Sequence, residues 1–252
     1  MDNTFTLKGD RVLVTGGGKG LGRHFALVAA RAGADVAITG RNVASLNEVE
    51  AEIRKVGVKA YSVAMDVTDP ASVDAAIAKV EQEFGGLTVV VNNAGVAISK
   101  PAFDQSVDDF NMVIDTDLKG VFWVASAAAK HMSKRKAGAI VNIASILGEV
   151  PVAALAPYAA SKAGVIQMTK ALALEWARFG LRVNALAPGY FETDMNREFF
   201  STERGQVFLK RVAQRRVGAL DELTGPFLLL ASKASSFMNG STLRVDGGFG
   251  LV

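Results

Sequence analysis

Short runs of aliphatic and β-branched residues alternate along this chain with longer segments in which apolar positions recur every three or four residues. The runs "RVLVT" (11–15), "DVAIT" (35–39), "KAYSVAM" (59–65), "LTVVVN" (87–92), "AIVNIA" (139–144), "RVNALA" (182–187) and "STLRVD" (241–246) predict strands. Between them the longer period predicts helices over 20–32, 42–56, Pro70 to near Phe84, 107–135, Pro157 to Phe179 and 221–231. Strands apolar on both faces belong to a parallel sheet covered by helices on both sides. The alternation therefore predicts an α/β fold with a doubly wound parallel sheet of about seven strands. No low-complexity linker or composition break interrupts it, so residues 1–252 read as a single domain.

Composition excludes several chemistries. With 252 residues, 50% of them apolar, the chain can fill a sizeable core. Zero cysteines rule out disulfides, thiolate metal sites and a cysteine nucleophile. His24 and His131 lie far apart in helical contexts, so no histidine-based metal site is expected. The net charge is +3 and the longest basic run is "KRK" at 134–136, which reads as a solvated helix end. Nucleic acid is not an expected partner. The polar start "MDNTFTLKGD" has no apolar signal region, and no stretch approaches the ~18 apolar residues of a membrane span. A soluble cytoplasmic protein with no membrane partner is the expectation.

In a doubly wound sheet, ligands bind beyond the carboxyl ends of the strands. The chemically suggestive residues fall there. "TGGGKGLG" (15–22) joins the first strand to the first helix. Gly16, Gly20 and Gly22, with Gly18, Lys19 and Leu21 between them, would let the backbone turn sharply and offer N–H groups to a pyrophosphate. A glycine-rich turn with no ligand is the competing reading. In "PYAASKAGV" (157–165), Tyr158 and Lys162 stand just over one helical turn apart, on the same side. Taken alone, that pair reads as a chance register on a half-exposed helix.

The glycine spacing is Gly-x-x-x-Gly-x-Gly, which resembles the short-chain dehydrogenase/reductase family, and the resemblance runs nearly end to end. "NNAG" (92–95), the Tyr-x-x-x-Lys of "YAASK" (158–162), Ser145 closing "IVNIAS", "PGYFET" (188–193) and "VDGG" (245–248) follow in the family's order. The resemblance implies a Rossmann-type domain in which Tyr158 exchanges a proton with the substrate oxygen as hydride moves. A free phenol, with a pKa of about 10, is a poor base at neutral pH, and the Lys162 ammonium would favour its phenolate. Lys162 is also implied to hold the nicotinamide ribose, and Ser145 to hydrogen-bond the substrate oxygen. By the same resemblance Asn93, Ala94 and Gly95 lie along the cofactor, Asp66 and Val67 at its adenine, and Pro188, Gly189, Phe191 and Thr193 at its nicotinamide. A homotetramer built partly from the helices at 107–135 and 157–179 is implied too.

One position departs from the family pattern. "DTDLKG" carries Asp117 where an asparagine usually completes a catalytic tetrad. Asp keeps the size and an acceptor oxygen but loses the amide donor.

Charge argues for the cofactor. At the end of the second strand stands "TGRN", with Arg41 in place of an acid that would bind the 2′-hydroxyl of NAD. Lys19 and Arg41 suit a 2′-phosphate, so NADP(H) is expected. Two solvated surface charges are the alternative. The region 190–216 would form a substrate lid, with Phe199, Phe200 and Phe208 closing over the substrate or facing the core. With Ser145, residues Leu147, Val152, Leu155, Tyr190 and Met195 form the expected pocket. The wall at 146–155 is apolar apart from Glu149, which favours a ketone with hydrophobic substituents. "FTLKGDRVLVTGG" and "PGYFETDMN" also resemble sugar-acid dehydrogenases of the gluconate type, and 3-oxoacyl-carrier-protein reductases share the same core. The expected function is NADP(H)-dependent interconversion of a ketone and a secondary alcohol. A catalytically silent nucleotide sensor is the non-enzyme alternative, opposed by the intact Ser145, Tyr158 and Lys162.

Overall fold

Each predicted apolar run becomes a strand: β1 (Arg11–Thr15), β2 (Asp35–Gly40), β3 (Ala60–Ala64), β4 (Val89–Asn92), β5 (Gly138–Ile143), β6 (Leu181–Pro188) and β7 (Thr242–Val245). The computed structural model describes residues 4–192 and 200–251. The seven strands pair in parallel in the order β3-β2-β1-β4-β5-β6-β7. Chain order reverses between β1 and β4, and a crevice opens at such a switch point beyond the carboxyl ends of the strands.

The helices are α1 (Gly20–Arg31), α2 (Val43–Lys55), α3 (Pro70–Phe84), α4 (Val107–Ile114), α5 (Gly120–Arg135), α6 (Ala156–Trp176), α7 (Glu203–Leu209) and α8 (Thr224–Ala231). Local chemistry sets their ends. The Asn42 side chain accepts from the Ser45 amide at the start of α2, and Asp69 accepts from Ala71 ahead of Pro70. Gly85 stops α3 at φ 69°, the left-handed conformation that glycine adopts without strain.

Successive strand residues serve opposite layers. Val12 and Val14 pack with Phe25, Ile53 and Phe227 under α1, α2 and α8, whereas Leu13 packs with Ile77, Val80 and Met132 under α3 and α5. Fully burying each such side chain stabilises the fold by about 1.5–3 kcal/mol.

The predicted helix at 107–135 is not continuous. A π turn, Asp115–Lys119, separates α4 from α5, with the Gly120 amide donating to Asp115 O. Asp117 lies in this turn and has no exposed surface. Gly164 of α6 faces the turn, where a Cβ would stand 2.9 Å from Leu118, so the absent side chain lets the two segments meet. Among the described residues, no helix is long and apolar enough to cross a membrane.

Candidate active site

At the crevice, β1 ends in Thr15 and the chain enters α1 through the glycine-rich turn. Gly16 has φ +64°, and a Cβ there would lie 3.0 Å from Ala94 Cα. Gly22 is tighter, since its Cβ would meet Gly16 O at 2.2 Å and Asn93 Nδ2 at 2.5 Å. Only glycine admits this approach. The turn is laced to the segment after β4. Thr15 Oγ1 accepts from the amides of Asn93 (3.0 Å) and Ala94 (2.9 Å), and Asn93 Nδ2 donates to Thr15 O (2.9 Å). Asn93 thus braces the turn with its side chain, while Leu21 packs into the core. Gly20 opens α1 at the surface.

Gly16, Gly18, Lys19, Ala94 and Gly95 line a cleft of about 290 Å³, whose far end is bounded by Arg41, Asp66 and Val67. Lys19 and Arg41 are both exposed, and among the described residues neither forms an ion pair. The Asp66 carboxyl is held below its ordinary range, chiefly by the Thr68 amide (2.9 Å), then by the Thr68 hydroxyl and the charge of Arg41, against the effect of burial. Thr39, Asn42, Ser45, Met65, Val96 and Thr116 face the same cleft and had not been singled out from the sequence. Most of them sit at the carboxyl ends of β2, β3 and β4 or in the first turn of α2, a position legible only once the strands are placed.

Ser145 follows β5 and caps a short turn, Ile146–Gly148. Its Oγ accepts from the Leu147 amide (3.1 Å), which leaves the hydroxyl hydrogen free to donate. Gly148 lays this turn on α6, because a Cβ there would stand 2.8 Å from Lys162 C and Ala163 N. Tyr158 lies in the first turn of α6, next to Pro157, and Lys162 lies one turn further on. Lys162 Nζ is 5.4 Å from the centre of the Tyr158 ring, so the predicted pair does face.

The Lys162 ammonium is buried. It donates to Ile143 O (3.2 Å) and lies 3.0 Å from Asp117 Oδ2, an ion pair without in-line hydrogen-bond geometry. Burial alone lowers a lysine's pKa. Here Tyr158 and the Asp117 carboxylate outweigh burial, and the Lys162 pKa is raised. The other Asp117 oxygen, Oδ1, accepts from the Val96 amide (2.7 Å).

Leu147, Val152, Leu155, Tyr158 and Tyr190 gather in one apolar cluster with Phe200 and Phe249. Tyr190 meets Phe208 edge-on at 4.7 Å, and burial pushes its hydroxyl up to about 12, opposed by Arg211 and assisted by Tyr158. Part of the predicted lid is thus helical, as α7, and Phe200 and Phe208 serve the cluster. Glu149 lies 3.3 Å from Arg244, which also holds Asp246 at 2.8 Å. Pro188 ends β6, and the Gly189 amide donates to Val245 O (2.8 Å), joining "PGYFET" to "VDGG". Phe191 turns its ring into the core against Gly218. Thr193, Met195 and Phe199 lie outside the described residues.

A buried amide chain beneath the site also escaped the sequence reading. Asn92 Nδ2 donates to Asn142 Oδ1 (2.8 Å), and Asn142 Nδ2 donates to Thr169 Oγ1 (2.9 Å), linking the ends of β4 and β5 to α6. The polar residues inside otherwise apolar strands were its only trace.

Residues 10–204 match the short chain dehydrogenase family. The chain is 40% identical to gluconate 5-dehydrogenase of Gluconobacter oxydans, over 97% of this chain and 96% of that protein. It is 36% identical to the 3-oxoacyl-[acyl-carrier-protein] reductase FabG of Escherichia coli, over 97% and 99%. A gluconate 5-dehydrogenase of Burkholderia cenocepacia, solved in complex with NADP and tartrate, superposes with a TM-score of 0.95 at 41% identity, covering 99% of this chain and 98% of that one. With these motifs in this sheet, the chain belongs to the short-chain dehydrogenase family and is an oxidoreductase.

Proposed function

We propose that this protein is an NADP(H)-dependent oxidoreductase that interconverts a ketone and a secondary alcohol, with a keto sugar acid of the gluconate type as substrate. The observation that carries the chemistry is the buried Lys162 ammonium facing the Tyr158 ring from the next turn of α6. When bound, NADP(H) supplies or accepts the hydride. Tyr158 gives its proton to the carbonyl oxygen in reduction and takes the hydroxyl proton in oxidation, so the substrate oxygen changes protonation as its carbon changes hydride. Lys162 favours the phenolate and offers its remaining N–H to the nicotinamide ribose. Ser145 donates its free hydroxyl hydrogen to the substrate oxygen and holds it beside the phenol.

The cleft fits the cofactor. Gly16 and Gly22 let the turn close tightly on Asn93 and Ala94 beside the cleft, and the exposed Lys19 and Arg41 that line it carry the charge that suits a 2′-phosphate. The sugar-acid assignment is supported by the gluconate 5-dehydrogenases at 40% and 41% identity. The apolar wall of Leu147, Val152 and Leu155 favours a second reading, a ketone with hydrophobic substituents such as a 3-oxoacyl thioester. We assign the enzyme to the cytoplasm as a homotetramer; exposed Val107 and Met112 on α4 and Leu174 on α6 supply apolar surface for such an assembly, which light scattering would test.

The test is a panel of 5-ketogluconate, gluconate and a 3-oxoacyl thioester, each with NADPH, NADP, NADH or NAD as its direction requires. Reduction of 5-ketogluconate by NADPH is expected. Tyr158→Phe should lower turnover by at least about 10²-fold while NADPH still binds. Exclusive turnover of the thioester would select the second reading, and near-normal turnover by Tyr158→Phe would overturn the mechanism.

A further inference from the structure

Asp117 is a carboxylate with no exposed surface, and its position is built rather than incidental. The π turn between α4 and α5 carries it, and the Val96 amide fixes Oδ1 at 2.7 Å. Gly95 makes room, because a Cβ there would stand 2.8 Å from Oδ2. The second oxygen is then 3.0 Å from Lys162 Nζ. We propose that Asp117 is a positioning residue, the counter-ion of Lys162, whose fixed charge beside the Tyr158–Lys162 couple extends carbonyl reduction to higher pH. This rests on the reading of Tyr158 as the proton donor.

The electrostatic argument has a definite sign. An ammonium alone favours phenolate over phenol, and a buried ammonium without a counter-charge favours its own loss of a proton. A carboxylate beside it opposes both ionisations. Reduction needs the phenol and the ammonium together, so both effects extend the pH range of reduction upward. The neighbouring groups do not supply this charge. Asp115 pairs with Lys119 at the surface (2.8 Å). Asp66 is turned to Thr68 at the far end of the cleft, and the segment after β4 contributes the neutral Asn93 and Val96. Tyr190, which faces Tyr158 from the lid side beside Arg211, has its hydroxyl pushed up to about 12 by burial and stays neutral in the working range.

The experiment is the pH profile of kcat/KM for NADPH-dependent reduction in wild type, Asp117→Asn and Asp117→Ser. Asn keeps the shape and can still accept from Val96, and Ser is the smaller neutral probe should Asn fail to fold. In either variant the alkaline limb should move to lower pH by about one unit or more. A limb that stays in place, or moves to higher pH, in a folded variant overturns the counter-ion role. Tyr158→Phe separates the two levels. If that variant reduces normally, the proton-donor reading itself fails. If it is inactive while the Asp117 limb stays fixed, only the counter-ion role fails.

Discussion

Gly148→Ala probes how closely the Ser145 turn must lie on α6. A Cβ at this position would stand 2.8 Å from Lys162 C and Ala163 N, whereas ordinary contact begins near 3.4 Å. The shortfall is about 0.6 Å, and the atoms it meets are backbone inside a helix, so they cannot swing away. Ile166 Cδ1, at 2.9 Å, can rotate clear. The short turn is the lighter body and should be the one displaced, carrying Ser145 with it. A 1 Å misplacement costs on the order of 10²-fold in rate, so about 0.6 Å should lower kcat by roughly tenfold. Overpacking should cost about 1–3 kcal/mol of stability as well. The glycine-rich turn lies elsewhere in the crevice, so NADPH affinity should change little. Steady-state kcat, thermal midpoint and NADPH titration by nicotinamide fluorescence separate these effects. A variant with wild-type kcat and a lowered midpoint would refute the reasoning, because the turn would then be scaffold with no part in placing the hydroxyl.

Arg41→Asp should reverse the cofactor preference, since it replaces an attraction for a 2′-phosphate with repulsion and supplies an acceptor for a 2′-hydroxyl; the ratio of kcat/KM for NADPH and NADH should change by about tenfold or more, less at high salt. Glu81 accepts from the Leu87 amide (2.8 Å) and, through both oxygens, from Arg135 (2.8 and 2.9 Å). Burial works to raise its pKa, but the Arg135 hydrogen bond leads the groups that prevail, so the folded value lies below the ordinary 4.5. The stability this group contributes is therefore present above about pH 4.5 and lost as pH falls through the folded value, and Glu81→Gln should flatten the acid fall of the urea midpoint.

Most of the architecture was legible because period and composition carry it. The β-branched runs at 11–15 and 35–39 return almost unchanged as β1 and β2, and the motifs fall at strand ends where the sheet gathers them. What escaped has a common cause. The π turn at 115–119 depends on a backbone bond from Gly120 to Asp115, which leaves the apolar pattern of 107–135 looking like one helix. The Asp117–Lys162 ion pair joins residues far apart in sequence, so position 117 read only as an asparagine replaced. Thr15 looked like the last residue of a β-branched strand, and its two accepted amides became visible only beside β4. Phe191 belongs to the segment expected at the nicotinamide, and its ring also completes the core, which a lone aromatic after Gly-Tyr does not announce.

The lacing between Thr15 and Asn93 bears on how a dinucleotide arrives. These three hydrogen bonds run within the protein and need no ligand to form them. The peptide N–H groups at the start of α1 are therefore already aimed when a diphosphate reaches them, and little ordering entropy is lost at that end on binding. Association there should proceed without a preceding rearrangement, its observed rate rising linearly with cofactor concentration across the accessible range. The edge between β1 and β4 thus works as a rigid dock for the diphosphate.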